Sequence, residues 1–363
     1  MKVGIVTVYD SQNIGSFLQA FALQEFVRSN GDEPFVIQTR SEKTAKNIFL
    51  GRDRDTLKKN PKLMLRYTRN YLFRHDQITQ RELKFENYKK DWKRLNIVSV
   101  EKANELGLDL VLFGSDEIWN VNVPAFEKEI MYGGGINARI KAGYAVSAGH
   151  AVAKDFKSFP GLVRQISGLD SILVRDDHTA ELLKSFGLSA DGKVFDPTLQ
   201  IRLTDCLGND FNIPDENYIL IYSYLVPEEI RGCIRKFAEE KGLKTVAVSL
   251  YHDWCDEYIN CSPLEIGAVF TKAKYVYTST FHGTILSLLY HKQVAAAGEK
   301  KKVVELLTAL GMEELLIDKS CTPEGFSEKL GKKPDYEALE RRLSRIREES
   351  VGAYSRIKEL KNG

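Results

Sequence analysis

Very little in this chain of 363 residues points toward a disulfide framework. Its five cysteines, Cys206, Cys233, Cys255, Cys261 and Cys321, are scattered and odd in number. No two form a CxxC pair, so neither a zinc knuckle nor a set of bridges is signalled, and this fits a reducing cytoplasm. No apolar run approaches the ~20 residues that a membrane span needs. No signal peptide is read at the start, where Met1 and Lys2 lead into the strand-like Val3-Gly4-Ile5-Val6. Prolines number only ten and 43% of the residues are hydrophobic, which excludes disorder on a large scale. The net charge is only +2, which excludes the strongly basic balance of a general nucleic-acid binder.

That small net charge conceals an asymmetry. From Lys43 to Arg94 sixteen Lys and Arg stand against six Asp and Glu, a local net of +10, which leaves −8 for the rest. Within it Leu63, Met64, Tyr67 and Tyr71 share one helical face while Lys62, Arg66 and Arg69 lie toward another. An amphipathic basic helix of this kind fits peripheral attachment to a membrane surface and equally fits packing on the protein with its lysines solvated.

The length predicts about two domains. Short apolar runs at Lys2–Val8, Glu33–Gln38, Asp109–Phe113, Lys141–Val146, Ser171–Val174 and Lys193–Phe195 read as strands. They alternate with helical patterns such as Phe17–Arg28, whose Phe17, Ala20, Phe21, Leu23 and Val27 recur on one face, and His178–Ser185. A second series has strands at Tyr218–Tyr222, Lys244–Val248, Lys274–Tyr277 and Gln293–Ala296. Its helices are Pro227–Glu240, stopped by Gly242, then Ser262–Thr271, His282–His291 and Val303–Leu310. Strand–helix alternation implies parallel sheets covered by helices. The expected organisation is an α/β fold: an N-terminal domain over 1–202 with the basic insertion at about 41–96, a linker over 203–216, a second domain over 217–333, and a C-terminal helix over 334–363 packing back across the domains. Its stripe is Leu339, Leu343, Ile346, Val351, Tyr354 and Ile357. Such a pair of sheets puts the expected ligand cleft at the C-terminal strand ends, between the domains.

Five segments carry the chemistry. Tyr9-Asp10-Ser11-Gln12-Asn13-Ile14-Gly15-Ser16 follows the first strand and opens a helix, where backbone N–H groups attract anions. Its spacing is neither a dinucleotide nor a Walker fingerprint, and a plain turn capped by Asn13 or Ser16 is the competing reading. Phe113-Gly114-Ser115-Asp116-Glu117-Ile118-Trp119-Asn120 turns sharply after a strand and offers Ser115 and Asp116 to a cleft, with Trp119 for sugar stacking or for the core. Val174-Arg175-Asp176-Asp177 places an Arg at a strand end, suited to a carboxylate or phosphate or to a structural ion pair with Asp176 or Asp177. Thr278-Ser279-Thr280-Phe281-His282-Gly283-Thr284 sets His282 among hydroxyls at a helix start. Gly298-Glu299-Lys300-Lys301-Lys302 puts lysines at another helix start, unfavourable there unless an anion binds or solvent screens the run.

Over roughly Met1 to the helix after Lys302 the chain resembles the polysaccharide pyruvyl transferase family. The resemblance rests on the ordered set Asn13–Ala20, Gly114–Asn120, Val174-Arg175-Asp176, Asp196-Pro197-Thr198-Leu199 and Ser279–Thr284. It implies two Rossmann-like parallel-sheet domains similar to the glycosyltransferase-B arrangement, with phosphoenolpyruvate as donor and no metal or nucleotide cofactor. Arg175 and His282 match the family's donor-binding Arg and His, and Lys301 or Lys302 its basic residue before the same helix. The position two before His282, an Arg in some relatives, is Thr280 here, which bears on how the donor carboxylate is held.

The expected donor set is therefore Arg175, His282, Ser279, Thr280, Lys301 and Lys302. The acceptor set is Asn13, Gly15, Ser16, Ser115 and Trp119. His282 is the expected general acid, its proton held by the bound polyanion against the helix N-terminus, and Asp116, then Asp10, the base. The acceptor would be a surface polysaccharide or its precursor, lipid-diphosphate-linked at the inner membrane face. Two rival readings remain: a nucleotide-sugar glycosyltransferase, with Glu265 toward the ribose, and a non-catalytic glycan-binding relative.

Overall fold

The computed structural model describes residues 1–52, 75–208, 210–213, 217–298 and 301–360. The chain divides into two compact units. The first contains Met1–Gln12, Ser16–Ile201 and Arg345–Gly363, and the second Asn13–Gly15 and Arg202–Ser344.

The first unit holds a seven-stranded sheet: β1 (Lys2–Val6), β2 (Glu33–Gln38), β3 (Ile97–Ser99), β4 (Leu108–Phe113), β5 (Ala138–Val146), β6 (Ser171–Val174) and β7 (Gly192–Lys193). Their spatial order is β3-β2-β1-β4-β5-β6-β7, and every pairing is parallel. A parallel sheet is covered on both faces, so its strands read as continuous apolar runs rather than alternations. Leu110, Val111, Leu112 and Phe113 are fully buried. The helix Ile14–Ser29 is buried on all sides through most of its length, not along one stripe as its spacing implied. Its polar members are held accordingly: Gln19 Nε2 donates to the carbonyls of Val8 (2.7 Å) and Ser16 (2.8 Å).

The second unit holds a six-stranded sheet: β8 (Tyr218–Tyr222), β9 (Lys244–Val248), β10 (Glu257–Ile259), β11 (Tyr275–Thr278), β12 (Gln293–Ala297) and β13 (Leu316–Ile317). The order is β10-β9-β8-β11-β12-β13, again all parallel. The helix Glu228–Lys241 ends at Gly242, whose φ of 61° is the left-handed cap. The stretch expected as a linker is folded in part: Leu203–Cys206 forms a 3₁₀ turn, and Leu207 and Ile213 are buried. Pro214 lies outside the described residues.

The long helix Tyr336–Glu359 buries Leu339, Leu343, Ile346, Tyr354 and Ile357, but Val351 is 42% exposed and Ser350 and Ala353 take the inward positions. Of the basic insertion, Glu42–Phe49 and His75–Trp92 are helical. The expected amphipathic face of Leu63, Met64, Tyr67 and Tyr71 lies outside the described residues, as do Lys62, Arg66 and Arg69. Among the described residues no helix is long and apolar enough to cross a membrane.

Candidate functional site

Open parallel sheets bind ligands where the strand order reverses, at the carboxyl ends of the strands. In the first unit the reversal falls between β1 and β4. The loops leaving those strands meet there: Ser16 Oγ donates to Asp116 Oδ2 at 2.7 Å. Asp116 Oδ1 accepts the Glu117 N–H at 2.9 Å, and Asp116 adopts φ 64°, a left-handed conformation that Asp tolerates better than most residues. Gly114 is required just before it, since a Cβ there would lie 2.1 Å from the Tyr144 carbonyl oxygen.

The neighbouring side chains are committed differently from expectation. Ser115 is fully buried and its hydroxyl donates to Asp196 Oδ2 at 3.2 Å, which removes it from acceptor contact. Trp119 is likewise fully buried; its Nε1 donates to the Met131 carbonyl at 3.0 Å, and its ring runs parallel to Tyr132 with centroids 6.3 Å apart. It has no face for a sugar and belongs to the core. Arg175, at the end of β6, pairs with Asp196 Oδ2 at 2.9 Å rather than with Asp176 or Asp177, its side chain 8% exposed. Asp176 instead caps the helix Asp177–Ser185 through Thr179. Burial alone would lower the Arg175 pKa; Asp196, then Asp116, Asp176 and Glu117, reverse this and raise it. Asp10 faces Arg40, whose Nε lies 3.2 Å from Asp10 Oδ2. Burial lifts the Asp10 pKa against the pull of Arg40 and Lys128. Arg40 was not singled out from the sequence, because nothing local separates it from the basic run beginning beside it.

In the second unit the order reverses between β8 and β11. Ser223 and Ser279, just past those strands, share a hydrogen bond of 2.6 Å between hydroxyls. Thr280 caps the helix Phe281–Leu289, accepting the Gly283 N–H at 2.9 Å, and lies 3.1 Å from the Thr278 hydroxyl. Asn13 Oδ1 accepts from the Gly15 N–H (2.9 Å) and the Tyr222 hydroxyl (3.3 Å). His282, 5% exposed, stands edge-on to Phe281 and directly against Gly15. Lys302 Nζ lies 5.9 Å from the centre of the Phe281 ring, whereas Lys301 is 77% exposed and pairs with Glu305 at 3.4 Å. Lys300 lies outside the described residues. Glu265 spends its carboxylate on the Ser262 N–H at 2.7 Å, within its own helix entry.

A cavity of about 980 Å³ opens at the opposite, amino-terminal edge of the second sheet, lined among others by Lys272, Lys274, Lys292 and Lys333. It takes in none of the residues above. Among the described residues no group of His, Cys, Asp and Glu could hold a metal ion.

Comparisons with known proteins bear on the family and the fold. A family model described as polysaccharide pyruvyl transferase matches residues 13–299. No curated protein matches the chain. Among solved structures, a UDP-N-acetylglucosamine 2-epimerase is similar at 13% identity and TM-score 0.51, covering 98% of this chain and 96% of its own. The MnaA protein of S. aureus, solved with UDP, is similar at 13% identity and TM-score 0.47 over 94% of this chain and 90% of its own. The glycosyltransferase SsfS6 of Streptomyces sp. SF2575 is similar at 15% identity and TM-score 0.41 over 97% and 96%. At such identities the likeness concerns the fold, two Rossmann-like parallel sheets of the glycosyltransferase-B type.

Proposed function

The chain belongs to the polysaccharide pyruvyl transferase family, and from that premise we propose that it transfers the pyruvyl group of phosphoenolpyruvate to a sugar of a surface polysaccharide or its precursor. The observation that carries this reading is the setting of His282. His282 stands in the first turn of a nine-residue helix capped by Thr280, just after the hydroxyl-bearing Thr278 and Ser279, and rests against Gly15, whose N–H is held by Asn13. A small polyanion fits such a surface. Lys302 offers fixed positive charge in the same unit, and the family resemblance assigns a further donor-binding cation to Arg175, which Asp196 holds.

The reaction forms a ketal from a vinyl phosphate. His282 as imidazolium gives a proton to the methylene carbon of the donor. A sugar hydroxyl adds to the adjacent carbon and passes its proton to Asp116. The carbon–oxygen bond to phosphate breaks, a second hydroxyl of the same sugar closes on that carbon, and its proton leaves with the phosphate. Asp116 suits the base role better than Asp10, since Asp10 is already bound to Arg40. Neither metal nor nucleotide cofactor enters these steps. Attachment to an anionic membrane surface through Lys43–Arg94, net +10, belongs to the same reading.

Incubation with phosphoenolpyruvate and a panel of lipid- and nucleotide-linked glycans tests it, following phosphate release and the pyruvyl mass increment. Acceptor-dependent release is expected, falling about 10²–10⁴-fold in His282→Gln. Release that survives His282→Gln unchanged overturns the acid assignment; no pyruvylated product from any acceptor overturns the reaction.

A further inference from the structure

We propose that Arg40, supported by Lys128, is a second anion subsite in the first unit, one that takes a phosphate group carried by the acceptor. The inference rests on the pyruvyl-transfer reading for the word acceptor, but not for the subsite. Arg40 stands two residues beyond β2 and Asp10 four beyond β1, and these strands are neighbours. The pair they form is deeply buried, its side chains 4% and 6% exposed. Its 3.2 Å contact runs through the guanidinium Nε. Arg40 Nη2 is also buried and has no hydrogen-bond partner among the described residues.

A buried, charged donor left without an acceptor is costly, and a ligand oxygen would offset that cost. Guanidinium geometry favours phosphate and carboxylate oxygens, often through two parallel hydrogen bonds. Lys128 Nζ donates to the carbonyl of Thr39, the residue before Arg40, at 3.2 Å. Among the described residues, the titratable groups facing one another here are thus two cations, Arg40 and Lys128, one carboxylate, Asp10, and the phenol of Tyr9. The balance is positive, as an anion requires.

This subsite is not the donor's. Arg40 and Arg175 lie along the same carboxyl edge of one sheet, at β2 and β6. The order β2-β1-β4-β5-β6 puts four strand spacings between them, roughly 19 Å. A three-carbon donor cannot reach both. An acceptor can, when its anionic end is several bonds from the hydroxyl that is modified. A glycan on a diphosphate has that form, whether the diphosphate leads to a lipid or to a nucleoside.

The test is calorimetric titration of the full chain with inorganic pyrophosphate and, separately, with phosphoenolpyruvate. Arg40→Gln should weaken pyrophosphate binding about 10- to 100-fold, the loss of a charge-assisted hydrogen bond expressed as affinity, and leave phosphoenolpyruvate binding within about twofold. Arg40→Lys should recover part of it. Lys128→Gln changes an exposed residue and should weaken pyrophosphate binding while melting like the wild type, which covers the case in which Arg40→Gln does not fold. Further arms with UDP and with a polyprenyl diphosphate in micelles separate the two sources of the diphosphate, the tighter one naming it. Undiminished pyrophosphate binding by a folded Arg40→Gln or by Lys128→Gln overturns the subsite, and loss of phosphoenolpyruvate binding alone would assign Arg40 to the donor. Failure of phosphoenolpyruvate as a substrate would sink the transferase reading and leave the pyrophosphate result standing.

Discussion

Gly15 and His282 compete for one volume: a Cβ added to Gly15 would lie 2.0 Å from His282 Nδ1 and 2.3 Å from its Cγ. The imidazole therefore rests directly on the backbone at residue 15, which sets its position. Gly15→Ala should displace the ring and lower phosphate release about 10²-fold, the scale of loss from misplacing a reacting group by about 1 Å. Steady-state kinetics with a melting curve checks this. A normal rate would mean that His282 tolerates the shift or takes no part.

Asp196 Oδ2 accepts from both Arg175 and Ser115, and Oδ1 from the Thr198 N–H and hydroxyl. Asp196→Asn leaves a buried guanidinium without its counter-charge. Denaturant unfolding should show a loss of about 3–5 kcal/mol, the usual cost of breaking a buried pair from one side.

Asp32 binds the Met1 ammonium (2.7 Å), the Tyr354 hydroxyl (2.9 Å) and Lys358 (2.9 Å). Burial would raise its pKa; these partners outweigh it and hold the carboxyl below the ordinary 3.8. A depressed carboxylate stabilises the fold above its unfolded pKa, and that stabilisation is lost as pH falls through the folded value. Asp32→Asn should thus lower stability at neutral pH and remove part of the acid-side decline below about pH 4. Melting temperatures from pH 3 to 7 decide it.

Trp119 gives a prediction of opposite character. Its burial beside Tyr132 makes it a core residue, so Trp119→Ala should cost about 3–5 kcal/mol of stability. In a milder Trp119→Phe the acceptor KM should be unchanged, as measured by initial rates. A large rise in KM alone would restore Trp119 to the acceptor contacts.

Much of the fold was legible because parallel strands announce themselves as apolar runs. Glu33–Gln38, Ser171–Val174, Tyr218–Tyr222 and Lys244–Val248 fall where the residues indicate. The missed strands β3, β10 and β13 have two or three residues each and lie at or beside the sheet edges, where the neighbouring strand rather than local sequence defines them. The site was legible to the level of its loops. Which side chains face inward was not legible locally: Ser115 and Trp119 bond to Asp196 and to Met131, 81 and 12 residues away in the chain. Arg40 was missed for the same reason, its meaning set by Asp10 thirty residues earlier.

The strand pairing also sets a timetable. β1, at the very start of the chain, pairs on one side with β2 but on the other with β4, Val3 opposite Leu110. At about 5–20 residues per second of synthesis, the first strand waits roughly 5–20 s for its second neighbour to be made. The wait for completion is longer still. Residues from Arg345 onward belong to the first unit, with the Tyr354 ring 5.5 Å from Phe26 and 6.5 Å from Tyr144. The unit begun first is finished last, after every residue of the second has left the ribosome. Phe26 and Tyr144 spend that interval without the aromatic ring that covers them in the folded chain.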